Sequence, residues 1–112
     1  MKRARNTTKV EAGSGNVYAD LGLEDSERML VKARLTAAIA AIIASRGLTQ
    51  GAAAELLGLT QPILSNLLRG RFRGVSERRL MDCLTRLGRD VVIVIKDKPR
   101  SRGSGRVSVH ES

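Results

Sequence analysis

The side chains that could support acid–base, nucleophilic or metal chemistry are few in this 112-residue chain. The one histidine, His110, lies near the C-terminus in a polar stretch that nothing would hold in place. The one cysteine, Cys83, has the helical spacing of a core residue and is expected to be a small buried hydrophobe. The acidic residues after position 75 are dispersed. We therefore predict no enzyme activity, no metal site and no cofactor.

A different chemistry is concentrated between residues 61 and 66. Gln61 and Asn66 carry amides that can pair bidentately with adenine, and the Ser65 hydroxyl suits a base edge or a phosphate. Pro62 could touch a thymine methyl group. If one exposed surface presents all four, the side chains that could read DNA bases are Gln61, Pro62, Ser65 and Asn66.

Two short helices are predicted to position these side chains. The segment LTQGAAAELLGLTQPILSNLLRG, from Leu48 to Gly70, predicts helices at residues 50–57 and 61–69. Thr49 and Thr60 are expected to cap them, and Gly58 to take the left-handed conformation of a tight turn. If Leu64 and Leu67 face a core, the base-reading side chains face outward near the start of the second helix.

The same segment resembles the Xre-type family of helix-turn-helix regulators. The matching positions are Leu48, Thr49, Gln50, Ala54, Leu57, Gly58, Leu59, Thr60, Leu64, Ser65, Leu67, Arg69 and Gly70. The resemblance implies binding to double-stranded operator DNA and a lambda-repressor-like bundle. The alternative is a helical hairpin that packs on something other than DNA.

Residues around this unit are suited to the DNA backbone rather than the bases. Thr49, Gln50 and Thr60 lie at helix starts, whereas Arg69, Arg71 and Arg73 follow the second helix. Such groups position a protein on phosphates without selecting a sequence. For the three arginines, the alternative is an ordinary solvated face.

Further elements complete a mainly α fold of four to five helices. One helix is predicted to start near Asp25 and end at Gly47, with an apolar stripe. That stripe is Leu30, Val31, Leu35, Ala38, Ile39, Ile42 and Ile43. Another is predicted between Ser76 and Gly88.

A strand is predicted after the helices. Val91, Val92, Ile93, Val94 and Ile95 are five consecutive β-branched residues. Nothing else in the ordered part resembles a strand, so we expect antiparallel pairing with the same segment of a second subunit. In the alternative, residues near Val17 and Tyr18 supply the second strand.

Charge and composition delimit three regions. Residues 1–16 are expected to be a disordered basic tail, residues 17–98 the folded domain, and residues 99–112 a flexible basic tail.

The net charge of +9 favours a polyanionic partner. The chain lacks a signal-like or membrane-spanning run, and its single cysteine suits a reducing compartment. We expect a protein of the bacterial cytoplasm, associated with the nucleoid and not with a membrane.

A broader resemblance covers about residues 15–100 and is to HigA-type antitoxins. The resemblance depends on two flanking segments: NVYADLGLED before the helix-turn-helix unit and LGRDVVIVIKDKPR after it. It implies a RelE/HigB-fold ribonuclease toxin as partner and autorepression of a shared promoter. The acidic stretch from Asp20 to Glu27 could bind such a basic partner, or it could simply start a helix. A stand-alone regulator and a module that only neutralises a toxin remain the alternatives, while RNA binding lacks an aromatic stacking platform.

Overall fold

A computed structural model describes residues 25–111, and this part contains four helices: α1 (Asp25–Ser45), α2 (Gln50–Leu57), α3 (Gln61–Leu68) and α4 (Glu77–Arg86). The predicted helix-turn-helix unit and both flanking helices are thus confirmed, with α3 one residue shorter than expected. The predictions for residues 1–24, including the disordered tail and the possible strand near Tyr18, lie outside the described residues.

Helix α1 is the longest element and forms one wall of the core. Its buried residues are Val31, Lys32, Leu35, Thr36, Ala38, Ile39, Ile42 and Ile43. The predicted stripe is confirmed except at Leu30, which is 53% exposed. With about 100° per residue, position 30 lies about 80° beyond Ala38, which is at the nearer edge of the buried arc.

The described core is built from aliphatic side chains of all four helices. Helix α1 packs against α4 and α3, and α2 packs against α3 and α4. Ile39, Leu64, Leu80 and Leu87 are fully buried at its centre. Cys83 is buried as predicted, and burial raises the pKa of its thiol above the ordinary value of 9.0.

Glycine ends or follows each helix at the predicted positions. Gly58 has φ +70° and donates its backbone N–H to the carbonyl of Glu55, so that the chain reverses directly into α3. An L-residue avoids this left-handed region, which explains a glycine here. Arg86 of α4 lies over the same turn, since a β-carbon on Gly58 would be 3.1 Å from its Nη1.

Residues 91–95 do not form a strand within the single chain. The described residues include no strand, and the side chains from Val92 to Ile95 are 74–93% exposed. A strand needs a hydrogen-bonded neighbour, and the described part of one chain supplies none. Further along, most of residues 99–111 are exposed, but Val109 is half-buried and packs against the core.

Within residues 25–111, no helix is both long enough and apolar enough to cross a membrane.

Candidate nucleic-acid interface

The N-termini of α2 and α3 are built in the same way. Thr49 Oγ1 accepts a hydrogen bond from the backbone N–H of Ala52 at 3.1 Å, and Thr60 Oγ1 accepts one from Ile63 at 3.4 Å. Both predicted caps are confirmed. In each case the hydroxyl oxygen accepts a hydrogen bond from the helix backbone, while the O–H group remains available as a donor. It could therefore donate to a phosphate oxygen, which is an acceptor. Both threonines are exposed, so this donor faces solvent.

The two helix starts lie close to each other. A β-carbon placed on Gly51 of α2 would be 3.6 Å from Nε2 of Gln61 on α3. Gln50 and Gln61 are both exposed. The first turns of both helices therefore lie side by side, and Gly51 is next to the Gln61 side chain.

Helix α3 presents the predicted side chains to solvent. Leu64 and Leu67 are 0% and 1% exposed, which confirms the inward phase assumed from the sequence. Gln61, Pro62 and Asn66 are exposed, whereas Ser65 is half-buried. We call α3 the recognition helix from here on. The contacts of these four side chains with bases remain a prediction.

The loop after α3 reaches back over the recognition helix. Arg71 Nη1 donates to Oδ1 of Asn66 at 3.4 Å, and both side chains are exposed. This contact orients the amide of Asn66. Because an amide oxygen has two acceptor sites, Asn66 can still pair bidentately with adenine while Arg71 holds it.

The three arginines predicted to bind phosphate lie in residues 69–74, which we call the basic loop. Arg69 is exposed and ends α3. Arg73 forms a bidentate ion pair with Asp25 of α1, at 3.3 and 3.2 Å. A phosphate contact by Arg73 would therefore have to compete with this carboxylate, whereas Arg69 and Arg71 meet no acidic partner among the ion pairs of the described residues.

Asp25 contacts both its own helix and the basic loop. It is the first residue of α1, and its carboxylate also lies 3.8 Å from Nη1 of Arg28. These contacts fit the interpretation that the acidic stretch starts a helix. They also fix the start of α1 against the basic loop.

Sequence reasoning missed Lys32, which anchors the basic loop. Its side chain is 3% exposed, and its Nζ donates to the backbone carbonyl of Arg73 at 2.6 Å. Burial lowers the pKa of Lys32, and nearby Glu77 opposes this shift. The helical period could have indicated the burial of Lys32, which shares a stripe with Thr36, Ile39 and Ile43, but not its partner.

A second missed residue is Ile63, an apolar side chain that is 40% exposed on the recognition helix. The helical phase predicted from the sequence assigned a role to its neighbours, but none to Ile63. Only the burial of Leu64 and Leu67 shows that Ile63 lies outside the inward face.

The described residues contain no group of three or more histidine, cysteine or acidic side chains placed to hold a metal ion.

Comparisons with known proteins agree with this geometry. The family described as helix-turn-helix domain matches residues 17–96. A solved structure named as an XRE-family transcriptional regulator is 44% identical, with a TM-score of 0.74, over 80% of this chain and 100% of the other. A search of curated proteins gives no match. The family is one of regulators and not an enzyme class. The chain therefore belongs to the Xre-type helix-turn-helix family of DNA-binding transcriptional regulators.

Proposed function

We propose that this regulator is a repressor that binds a palindromic operator as a homodimer. The observation that carries the proposal is the recognition helix, which sets exposed Gln61, Pro62 and Asn66 above fully buried leucines. A helix with one buried face and one polar face fits the major groove of B-DNA. Repression follows when the bound dimer covers a promoter, and DNA binding would place the protein on the bacterial nucleoid.

In this proposal, base and backbone contacts come from different residues. Gln61, Ser65 and Asn66 pair with base edges, and Pro62 lies against a thymine methyl group. The phosphate contacts come from Thr49, Gln50, Thr60, Arg69, Arg71 and Arg73. The free O–H of each capping threonine supports this assignment, since the other side of that oxygen is already used by the helix.

The homodimer is proposed to form through residues 91–95. Ile93 is 74% exposed and Ile95 is 93% exposed, next to Val92 and Val94 at 78% and 75%. An extended segment with apolar side chains on both faces and unpaired backbone groups is a template for pairing with another strand. A two-fold axis would pair two copies antiparallel and set two recognition helices about 34–36 Å apart.

An antitoxin role is the finer form of this proposal. The resemblance to HigA-type antitoxins supports it, with a RelE/HigB-fold toxin as partner and repression of the shared promoter. The net acidic residues 11–30 are the part of the sequence suited to a basic toxin. Co-expression with the adjacent gene, followed by affinity capture, tests this role. Without a co-purifying toxin, the chain is a stand-alone regulator.

Selection from a random library tests the repressor proposal. The full-length chain is incubated with duplexes that carry 24 random base pairs, and bound duplexes are recovered at two salt concentrations. We expect an inverted repeat with half-sites about one helical turn apart, and an affinity that falls steeply with salt. A Gln61→Ala/Asn66→Ala variant is the control and should enrich no such repeat. Failure of the unaltered chain to enrich any sequence would overturn the proposal.

A further inference from the structure

The recognition helix presents one apolar side chain that its packing does not use. Ile63 is the third residue of α3 and is 40% exposed, while the next residue, Leu64, is fully buried. Ile63 thus leaves a large part of its surface in water on the helix that faces DNA in the proposed complex.

Helical phase places Ile63 at the border of the outward face. With about 100° per residue, Pro62 and Asn66 lie at the middle of that face, opposite the buried Leu64 and Leu67. From the direction directly opposite those leucines, Ser65 lies about 50° to one side and Ile63 about 110° to the other, at the border of the face. Ser65 is half-buried, so Ile63 is the more exposed of the two flanking positions.

The chemistry of the two flanks differs accordingly. Gln61 lies on the flank of Ser65, next to Gly51 of α2, and this side of α3 offers hydrogen-bonding groups. The flank of Ile63 offers none, because its side chain has only methyl and methylene groups. In the major groove, the one apolar group that distinguishes bases is the C5-methyl of thymine.

We infer that Ile63 is a specificity-determining residue that selects thymine by packing against its C5-methyl group. The inference rests on the proposed function, since it requires α3 to lie in the major groove. Contact of Ile63 with a methyl group would remove apolar surface of both from water, which is favourable without any hydrogen bond. The operator should therefore contain a thymine in each half-site, at a position that Gln61 and Asn66 do not read.

Deoxyuridine substitution tests this directly, because it removes only the C5-methyl group from thymine. The duplex enriched from the random library is prepared with each thymine replaced singly by deoxyuridine. For the unaltered chain, we expect one position per half-site where affinity falls about fourfold, the effect of one buried methyl group. In Ile63→Ala this loss should vanish, whereas Ile63→Val, which keeps a β-branched apolar side chain, should retain most of it.

Two control variants separate Ile63 from its neighbours. Leu56→Ala removes another exposed apolar side chain, on α2, and should leave the deoxyuridine effect unchanged. If Pro62→Ala abolishes the effect and Ile63→Ala does not, Pro62 reads the methyl group and the inference is wrong. The inference is also wrong if deoxyuridine lowers affinity equally for Ile63→Ala and the unaltered chain, or if no thymine in the duplex is sensitive to the substitution. If no duplex is enriched at all, the proposed function fails first, and the inference falls with it.

Discussion

Lys32 donates a hydrogen bond from its ammonium group to the backbone carbonyl oxygen of Arg73, with 2.6 Å between the two atoms. The lysine lies on α1 and is almost fully buried, whereas Arg73 lies in the exposed basic loop after the recognition helix. The Arg73 side chain returns to α1 through its ion pair with Asp25. The backbone and the side chain of one loop residue are thus both fixed to the same helix.

Removing the Lys32 ammonium group should release this loop. In Lys32→Met, the apolar stem remains but the hydrogen bond to Arg73, worth about 1.5–3 kcal/mol, is lost, and relief of the buried charge offsets part of this loss in unfolding free energy. Amide hydrogen exchange should become faster in residues 70–75, and affinity for all duplexes should fall together. Lys98→Met, at an exposed position, is the matched control. Unchanged exchange in the loop would show that Lys32 does not hold it.

Base-reading and backbone residues should differ in how their loss depends on DNA sequence. Asn66→Ala should cost about 1–3 kcal/mol on the selected duplex and little on unrelated duplexes. Arg71→Ala should weaken binding to all duplexes and reduce the salt slope by about 1. Fluorescence anisotropy titrations on both duplexes at several salt concentrations measure these effects. If Asn66→Ala left affinity and sequence preference unchanged, the assigned outward face would be incorrect.

The contact between Arg71 and Asn66 predicts that the effects of the two substitutions on DNA binding are coupled. Because Arg71 Nη1 donates to the Asn66 amide oxygen, the two residues should not act independently. The double variant is expected to lose less binding free energy than the two single variants together. Additive losses would mean that the contact has no part in the complex.

The helices and their ends were predictable because their causes are local. Thr49, Thr60 and Ser76 cap the helices that follow them, and Gly58 has the left-handed φ expected of a tight turn. These features depend on residues within one turn of the chain. The apolar period likewise identified Leu64 and Leu67 as core residues.

The features that were missed depend on contacts between distant residues. Lys32 and Asp25 both contact Arg73, which lies 41 positions after the lysine and 48 positions after the aspartate. Neither pairing has a period or a motif in the sequence. Ile63 was missed for a related reason, since a side chain at the border of a helical face can be buried or exposed depending on its neighbours.

The thiol of Cys83 should make stability depend on pH in the alkaline range. Burial raises its pKa in the folded state, so above pH 9.0 the unfolded chain loses the proton first. The unfolded state then binds fewer protons than the folded state, and stability falls as pH rises through the raised pKa. Urea unfolding at pH 8 and pH 10 should show a larger decrease for the unaltered chain than for Cys83→Ala. Equal decreases would mean that the thiol ionises with its ordinary pKa.

The proposed dimer can be tested at Ile93, where a lysine should be harmless to the monomer. Because Ile93 is 74% exposed, Ile93→Lys breaks no core contact and should leave the helical circular dichroism unchanged. In the dimer, however, the substitution would place two lysines, one from each subunit, in the paired segment. We therefore expect the variant to sediment as a monomer in sedimentation velocity. Loss of the second half-site contact should weaken operator binding by about 10²–10⁴-fold. Val107→Lys, at another exposed β-branched residue outside residues 91–95, should stay dimeric. If Ile93→Lys were also dimeric, residues 91–95 would not be the interface.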